Sequence, residues 1–254
     1  LHPLDDFAAC VSQAVIQHKK IWIDPDAAPY KIQDIVQTAN GAHVSESSPL
    51  QLMKACKNAV EIQGSVNAHI RDGVAETRFL AAILEQGATA KYDEISASDL
   101  LEAFRREQPY FKDLSFDTIS GAGGNGAIVH YRSTPETNQP LLSGPIYLVD
   151  SGGQYLDGTT DITRTVAVDN VTPEMREHNT RVLKGHIQVA MSVFAEGTTG
   201  DKLDEKARAS LKEIGLDYAH GTGHGVGSYL SVHEGPCGIS PLAKTVPLMP
   251  GMII

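Results

Sequence analysis

The chain has 254 residues, 41% of them hydrophobic and 20% charged, with a formal net charge of -10 and a pI near 5.4. This is enough chain to bury a real core in one large or two smaller domains, and no apolar run approaches the roughly 18 residues that span a bilayer. The negative field repels phosphate backbones and anionic lipid, so neither nucleic acid nor a membrane is expected as a partner.

The opening Leu1-His2-Pro3-Leu4-Asp5-Asp6 has neither the basic start nor the apolar stretch of a signal peptide. Residues 20–24 (KIWID) read as a short strand, followed by Pro25 and Pro29 and a helical stretch through Ile32, Ile35 and Val36. Asn40-Gly41 stops that helix, residues 42–44 suggest another short strand, and residues 45–49 form a polar connection. A domain boundary is expected near residue 50. From Leu52 the apolar positions Met53, Cys56, Val60, Val66, Ile70, Val74, Phe79 and Ile83 recur at helical spacing, with Gly64 and Gly73 as weak points, so two or three successive helices are expected. Ser96 and Asp99 resemble a capping box opening a helix that holds Leu100, Leu101 and Phe104. Residues 115–170 turn rich in Gly, Thr and β-branched side chains, with strands expected at 116–120, 127–131 and 146–150 and a hairpin turn at Asp157-Gly158. Thr172-Pro173 is a good start for a helix through Val182, Ile187, Val189 and Val193, and Asp201 opens another that Gly215 ends. The last four residues, Gly251-Met252-Ile253-Ile254, read as an apolar strand, so the chain is expected to be part of a longer polypeptide. Strand runs followed by helix runs suggest an α+β fold.

Three segments carry chemistry. In the first, Asp150-Ser-Gly-Gly-Gln-Tyr-Leu-Asp-Gly-Thr-Thr-Asp161, two acids bracket a turn. A turn at 157–158 sets Asp161 opposite Gln154 and puts Asp150 on the same face, about 13 Å along an ideal strand, so convergence demands a bend, for which Gly152-Gly153 is the natural place. Two inward carboxylates are costly to desolvate unless a cation neutralises them; the alternative is that both merely cap strand ends in solvent. The second segment is His220-Gly-Thr-Gly-His224-Gly-Val-Gly, followed by His233. Its glycines make a helix improbable and a shaped loop the better reading, either a metal-binding one or an ordinary surface loop. The third, Gly121-Ala-Gly-Gly-Asn-Gly-Ala-Ile-Val-His130-Tyr131, is not a phosphate loop, and taken alone its histidine reads as structural. His2, His18, His43, His69, His178 and His186 receive no role. Cys10, Cys56 and Cys237 form no CxxC pair, which fits a reducing cytoplasm, and Cys237 is a nucleophile by residue type only.

With these pieces in this order, LSFDTISGAGGNGAIVHY, YLVDSGGQYLDGTTDITRT and HGTGHGVGSYLSVHEGPCGIS, the chain resembles the cytosolic, three-domain type of aminopeptidase P, the Xaa-Pro aminopeptidases. The resemblance runs from about residue 52 onward. It implies a pita-bread catalytic fold over 51–254, with 1–50 as the tail and linker of a preceding α/β domain. It implies Asp150, Asp161 and His224 as metal ligands, Asp161 bridging two divalent ions, manganese before zinc or cobalt. His130, His220 and His233 become residues that hold substrate, shuttle protons or steady the tetrahedral intermediate. The implied substrates are peptides with proline in second position, and homodimers are common in the family. The family's two glutamate ligands have no counterpart in residues 1–254, so three of five ligands are expected here and this chain alone is expected to be inactive. A prolidase-type dipeptidase of the same fold is the neighbouring reading. A non-catalytic peptide-binding module, as in a histone-chaperone subunit of this fold, is the remoter one.

Overall fold

The computed structural model describes residues 3–85 and 89–254; His2 lies outside them. The chain divides into two compact units, residues 1–53 and 54–254. In the smaller unit, helix α1 (Phe7–Ile16), strand β1 (Ile21–Ile23), helix α2 (Tyr30–Thr38) and strand β2 (His43–Ser45) form a β-α-β arrangement with β1 and β2 parallel. Val15, Ile23 and Val36 make its core. Asn40 ends α2 in the left-handed conformation, as an Asn can, and the expected strand and helix are both present.

A short helix, α3 (Pro49–Ala55), precedes one long helix, α4 (Ala59–Leu84), where a broken series was expected. Asn58 and Glu61 close a full capping box at its start. Gly64 does not interrupt α4 because its missing side chain is the contact: a Cβ there would sit 2.1 Å from the Asp157 carbonyl oxygen. The buried face of α4 is not the Val-Ile series. Val60, Val66, Ile70 and Val74 are exposed, while Gly64, Ser65, Ala68, Asp72, Ala75, Glu76, Phe79 and Ile83 point inward. Helix α5 (Glu94–Arg106) is capped by Asp93, with Ser96 as its reciprocal partner, so the expected box starts three residues earlier.

Against these helices lies a sheet of β3 (Phe111–Ala122), β4 (Ile146–Tyr155), β5 (Gly158–Thr159) and β6 (Ile162–Ala167), with β4 pairing antiparallel to all three others. Phe79, Ile83, Leu101, Leu141, Tyr147 and Val149 form the main core between sheet and helices. The expected strand at 127–131 is absent. Residues Gly123–Ala127 form a 3-10 turn, Ile128 and Val129 are exposed, and His130 has φ +56°, a value incompatible with strand pairing. Tyr155 pairs with Gly158, so the hairpin turn is Leu156-Asp157 rather than Asp157-Gly158. The extra residues at the register shifts fall in β3, between Phe111 and Ile119, and one of these shifts lies opposite Gly152-Gly153.

Helices α6 (Pro173–Ala190) and α7 (Gly200–Lys212) pack on each other, α6 capped by Thr172 as expected. The remainder is shaped loop, pinned by a two-residue ladder of β7 (Gly223–His224) with β8 (Gly238–Ile239). Among the described residues, no helix is long and apolar enough to cross a membrane.

Candidate metal centre

The register of the β4–β6 pair removes most of the separation expected between the two acids. Asp150 pairs with Thr163 and Ser151 with Ile162. Continuing that register sets Asp161 opposite Gly152, two residues from Asp150 and therefore on the same face. Asp161 is near enough for its charge to act on Asp150. Burial, and after it the charge of Asp161, raises the pKa of Asp150, against a hydrogen bond donated by Thr163 Oγ1 at 2.7 Å.

The opposite face of the same strands is a polar lock. Arg105, fully buried on α5, donates from Nε and Nη2 to the two oxygens of Asp72, at 2.7 and 3.0 Å, and from Nη2 to Ser151 Oγ at 3.0 Å. Asp72 also accepts from Tyr155 Oη at 2.8 Å and from Thr160 Oγ1 at 2.9 Å. Ser151 and Thr160 are chain neighbours of Asp150 and Asp161. Because neighbours on a strand face opposite ways, fixing one residue from beneath aims the next one outward.

Four histidines share a cavity of about 900 Å³ with these acids: His130, His220, His224 and His233. His224 Nδ1 lies 3.0 Å from the Gly225 carbonyl, which can only accept, so Nδ1 carries the proton. Its Nε2 then points at Asp161 Oδ2, 3.1 Å away. The hydrogen bond with Asp161 raises the pKa of His224, whereas desolvation, with the neighbouring His224 second, lowers that of His233. The His233 ring stands 4.1 Å from that of His224 and 6.2 Å from that of His130. His220 is exposed at the cavity wall, its ring 5.4 Å from Tyr218, and is not in contact with the other three rings. Among the described residues, no three His, Cys, Asp or Glu side chains form a closed ion cage. The donors are instead a close pair, Asp161 with His224, and Asp150 beside them.

The donor set is what a divalent cation takes. A lone pair at His224 Nε2 facing a carboxylate oxygen is repulsive unless a proton or a cation lies between them, and a second carboxylate adjoins the pair. The His224 ring is oriented by a backbone carbonyl at its other nitrogen, as imidazoles at metal sites commonly are.

Sequence comparison matches residues 51–254 to "Metallopeptidase family M24". The chain belongs to metallopeptidase family M24. Within that family it is 47% identical over 244 residues to Xaa-Pro aminopeptidase 1 of Dictyostelium discoideum, an alignment covering 94% of this chain and 38% of that protein. It is 42% identical to aminopeptidase P1 of Arabidopsis thaliana, over 94% of this chain and 40% of the relative. Its structure superposes on the X-prolyl aminopeptidase of Caenorhabditis elegans, a cytosolic enzyme with a di-nuclear active site, with a TM-score of 0.87 and 37% identity, covering 99% of this chain and 42% of that one. A prolidase from Thermococcus sibiricus superposes at 0.81 with 27% identity, over 99% of this chain and 66% of the neighbour. The chain thus spans about two fifths of the curated relatives it matches, and the M24 pita-bread fold expected from the sequence is the one observed.

In this M24 chain the histidine loops are held by charges that sequence reading passed over. Arg208 on α7 donates from Nη2 to the His220 carbonyl and from Nη1 to the Tyr218 carbonyl, and is itself paired through Nε with the buried Asp204 at 2.7 Å; Asp204 accepts from Thr222. Lys57, just before α4, donates from Nζ to Glu234 Oε1 at 2.7 Å, and both side chains are almost fully buried. Gln154 Oε1 accepts from the Leu230 amide at 3.0 Å, tying β4 to the same loop. Gly225 is where this loop closes on itself: a Cβ there would lie 2.2 Å from the Glu234 carbonyl oxygen. Arg208 and Gln154 lie in helix and strand and Lys57 just before a helix, and in each the polar or charged side chain alone reads as solvated surface. The one available signal was position. Asp72 falls on the inward stripe with Ala68, Ala75 and Phe79. Cys237 is buried, and burial raises its pKa, which disfavours the thiolate.

Proposed function

We propose that this chain carries the metal-binding part of a cytoplasmic aminopeptidase that releases the N-terminal residue preceding proline. The reading rests on one observation above others, the approach of His224 Nε2 to Asp161 Oδ2 with Asp150 alongside. Asp150, Asp161 and His224 would hold the ions, and the resemblance to Xaa-Pro aminopeptidases favours manganese over zinc or cobalt. A pair of divalent ions, when bound, lowers the pKa of a coordinated water and polarises a carbonyl.

The chain's own residues supply the rest. His233, its pKa lowered, is neutral near pH 7 and can accept a proton at a ring nitrogen within the cavity. His130, near His233, and His220, on the cavity wall, would hold the peptide. An Xaa-Pro bond is a tertiary amide without an N–H, so selecting it calls for a fitted pocket rather than a stronger nucleophile, and Phe116, Ile128, Val129 and Val232 give the cavity an apolar side. The expected substrates are peptides with proline second, and homodimers are common in the family the chain resembles. Residues 1–50 are read as the tail of a preceding domain.

Titration of Mn²⁺ into the chain, followed by calorimetry, tests the metal reading. Binding is expected in the unsubstituted chain and should disappear in Asp161→Asn; binding that survives this substitution, or no binding at all, ends it. With Mn²⁺ present, any turnover should favour an Xaa-Pro-Pro tripeptide over an Xaa-Pro dipeptide, and the reverse order would point to a prolidase.

A further inference from the structure

His130 reaches the cavity without any hydrogen bond from its own side chain among the described residues, so its backbone must do the aiming. That backbone is unusual: φ is +56°, a region non-glycine residues rarely enter unless their surroundings determine it. The side chains of Ile128 and Val129 before it are exposed, and the turn is closed by a hydrogen bond from the Tyr131 amide to the Ile128 carbonyl at 3.1 Å. The next residue, Tyr131, is buried, and its hydroxyl donates to Glu94 Oε2 at 2.9 Å.

Glu94 is fully buried at the first turn of α5. Its Oε2 also accepts from the Gln139 amide at 3.1 Å, and its Oε1 accepts from the Ala122 amide at 2.8 Å and from Asn125 Nδ2 at 2.9 Å. Its backbone carbonyl accepts from Ser120 Oγ at 2.7 Å, and its amide donates to the Gln139 carbonyl. One carboxylate therefore gathers the end of β3, the glycine-rich turn, Tyr131 and the segment at 139. A buried carboxylate with four donors from four segments is satisfied only in one arrangement of those segments, so it selects that arrangement.

We infer that Glu94, acting through Tyr131, is the positioning residue that holds His130 at the cavity. The inference rests on the proposed function for the relevance of His130, but the geometry it asserts can be read without metal or substrate. The rings of His130 and His233 are close enough for a proton–proton nuclear Overhauser contact, as are those of His224 and His233.

The test uses the whole chain with labelled histidines, unsubstituted and as Tyr131→Phe and Glu94→Gln. Tyr131→Phe removes one hydroxyl. Glu94→Gln turns an amino group toward two of the four donors. Loss of the His130–His233 contact with the His224–His233 contact retained is the expected result in both. A contact at full intensity in folded Tyr131→Phe overturns the inference, whatever Glu94→Gln does to folding. A role confined to stability would lower the melting temperature and leave the contact in place. Adding Mn²⁺ to the unsubstituted chain checks the metal reading separately, through broadening of the His224 ring signals: its absence would sink that reading and leave the Glu94 result standing.

Discussion

The two walls of the cavity are built on different principles. The carboxylate wall is a sheet: strand register puts Asp150 and Asp161 on one face, and a single buried network centred on Asp72 and Arg105 fixes the strands from behind. The imidazole wall is loop, and regular pairing contributes only the two-residue ladder of β7 and β8. There the histidines are held one by one, His220 by Arg208, His233 through its neighbour Glu234 and Lys57, and His130 through Tyr131 and Glu94. Damage to the sheet wall should therefore spread, whereas damage to the loop wall should stay local.

The largest effect is expected from Arg105→Met, which strands Asp72 as a buried charge and removes the lock under both acids. Breaking a buried pair from one side typically destabilises by about 3–5 kcal/mol; chemical denaturation should show that loss, and Mn²⁺ binding should weaken with it. If stability falls while metal binding is untouched, the sheet wall does not aim its acids from behind.

Next comes a pH effect in the same network. Glu76 is buried 3.6 Å from Arg105 Nη2, with neither carboxylate oxygen hydrogen-bonded, and desolvation pushes its pKa up to about 7. Its folded pKa lies above its unfolded value, so between pH 4.5 and pH 7 the folded state keeps a proton that the unfolded chain releases. Stability should therefore fall as pH rises through that window, by up to about 3 kcal/mol. Glu76→Gln should flatten this slope, and a slope identical in the two proteins would mean that Glu76 is charged in the fold.

The smallest effect belongs to the loop wall. Lys57→Met leaves Glu234 with the exposed Lys54 as its nearest cation, at 3.2 Å. A loss of about 2 kcal/mol is expected, in the range for a hydrogen bond to a charged group. The change should be confined to the loop, read as faster amide exchange at residues 225–237 with no change at 146–167. Spread of the exchange into the sheet would erase the distinction between the two walls.

Much of the chemistry was legible in the residues themselves. The two acids around a hairpin and the glycine-flanked histidines stood out as candidate ligands because residue type and spacing are local properties, and the order of the three segments carried the resemblance that implied a pita-bread metallopeptidase. Helix α6, capped by Thr172, and helix α7 were legible for the same reason. Other features were not. Residues 127–131 read as a strand because Ile128 and Val129 are β-branched, yet backbone closure around Glu94 puts them in a turn with their side chains exposed. The apolar series of α4 looked like a core stripe, but packing against the sheet selected the face of small residues, Asp72 and Glu76 instead. The hairpin register, off by one position at the turn, changed the spacing of the acids from four residues to two.

The sequence by itself determined which groups could ligate, titrate or turn, since those are properties of single side chains and their near neighbours. Only the tertiary structure decided which of its many charged residues would be buried as supports. Burial of Arg105, Asp72, Glu94 and Lys57 depends on partners far along the chain, 28 residues for Glu94 with Ala122 and 33 for Arg105 with Asp72, and pairing over that distance leaves no periodic trace in the chain.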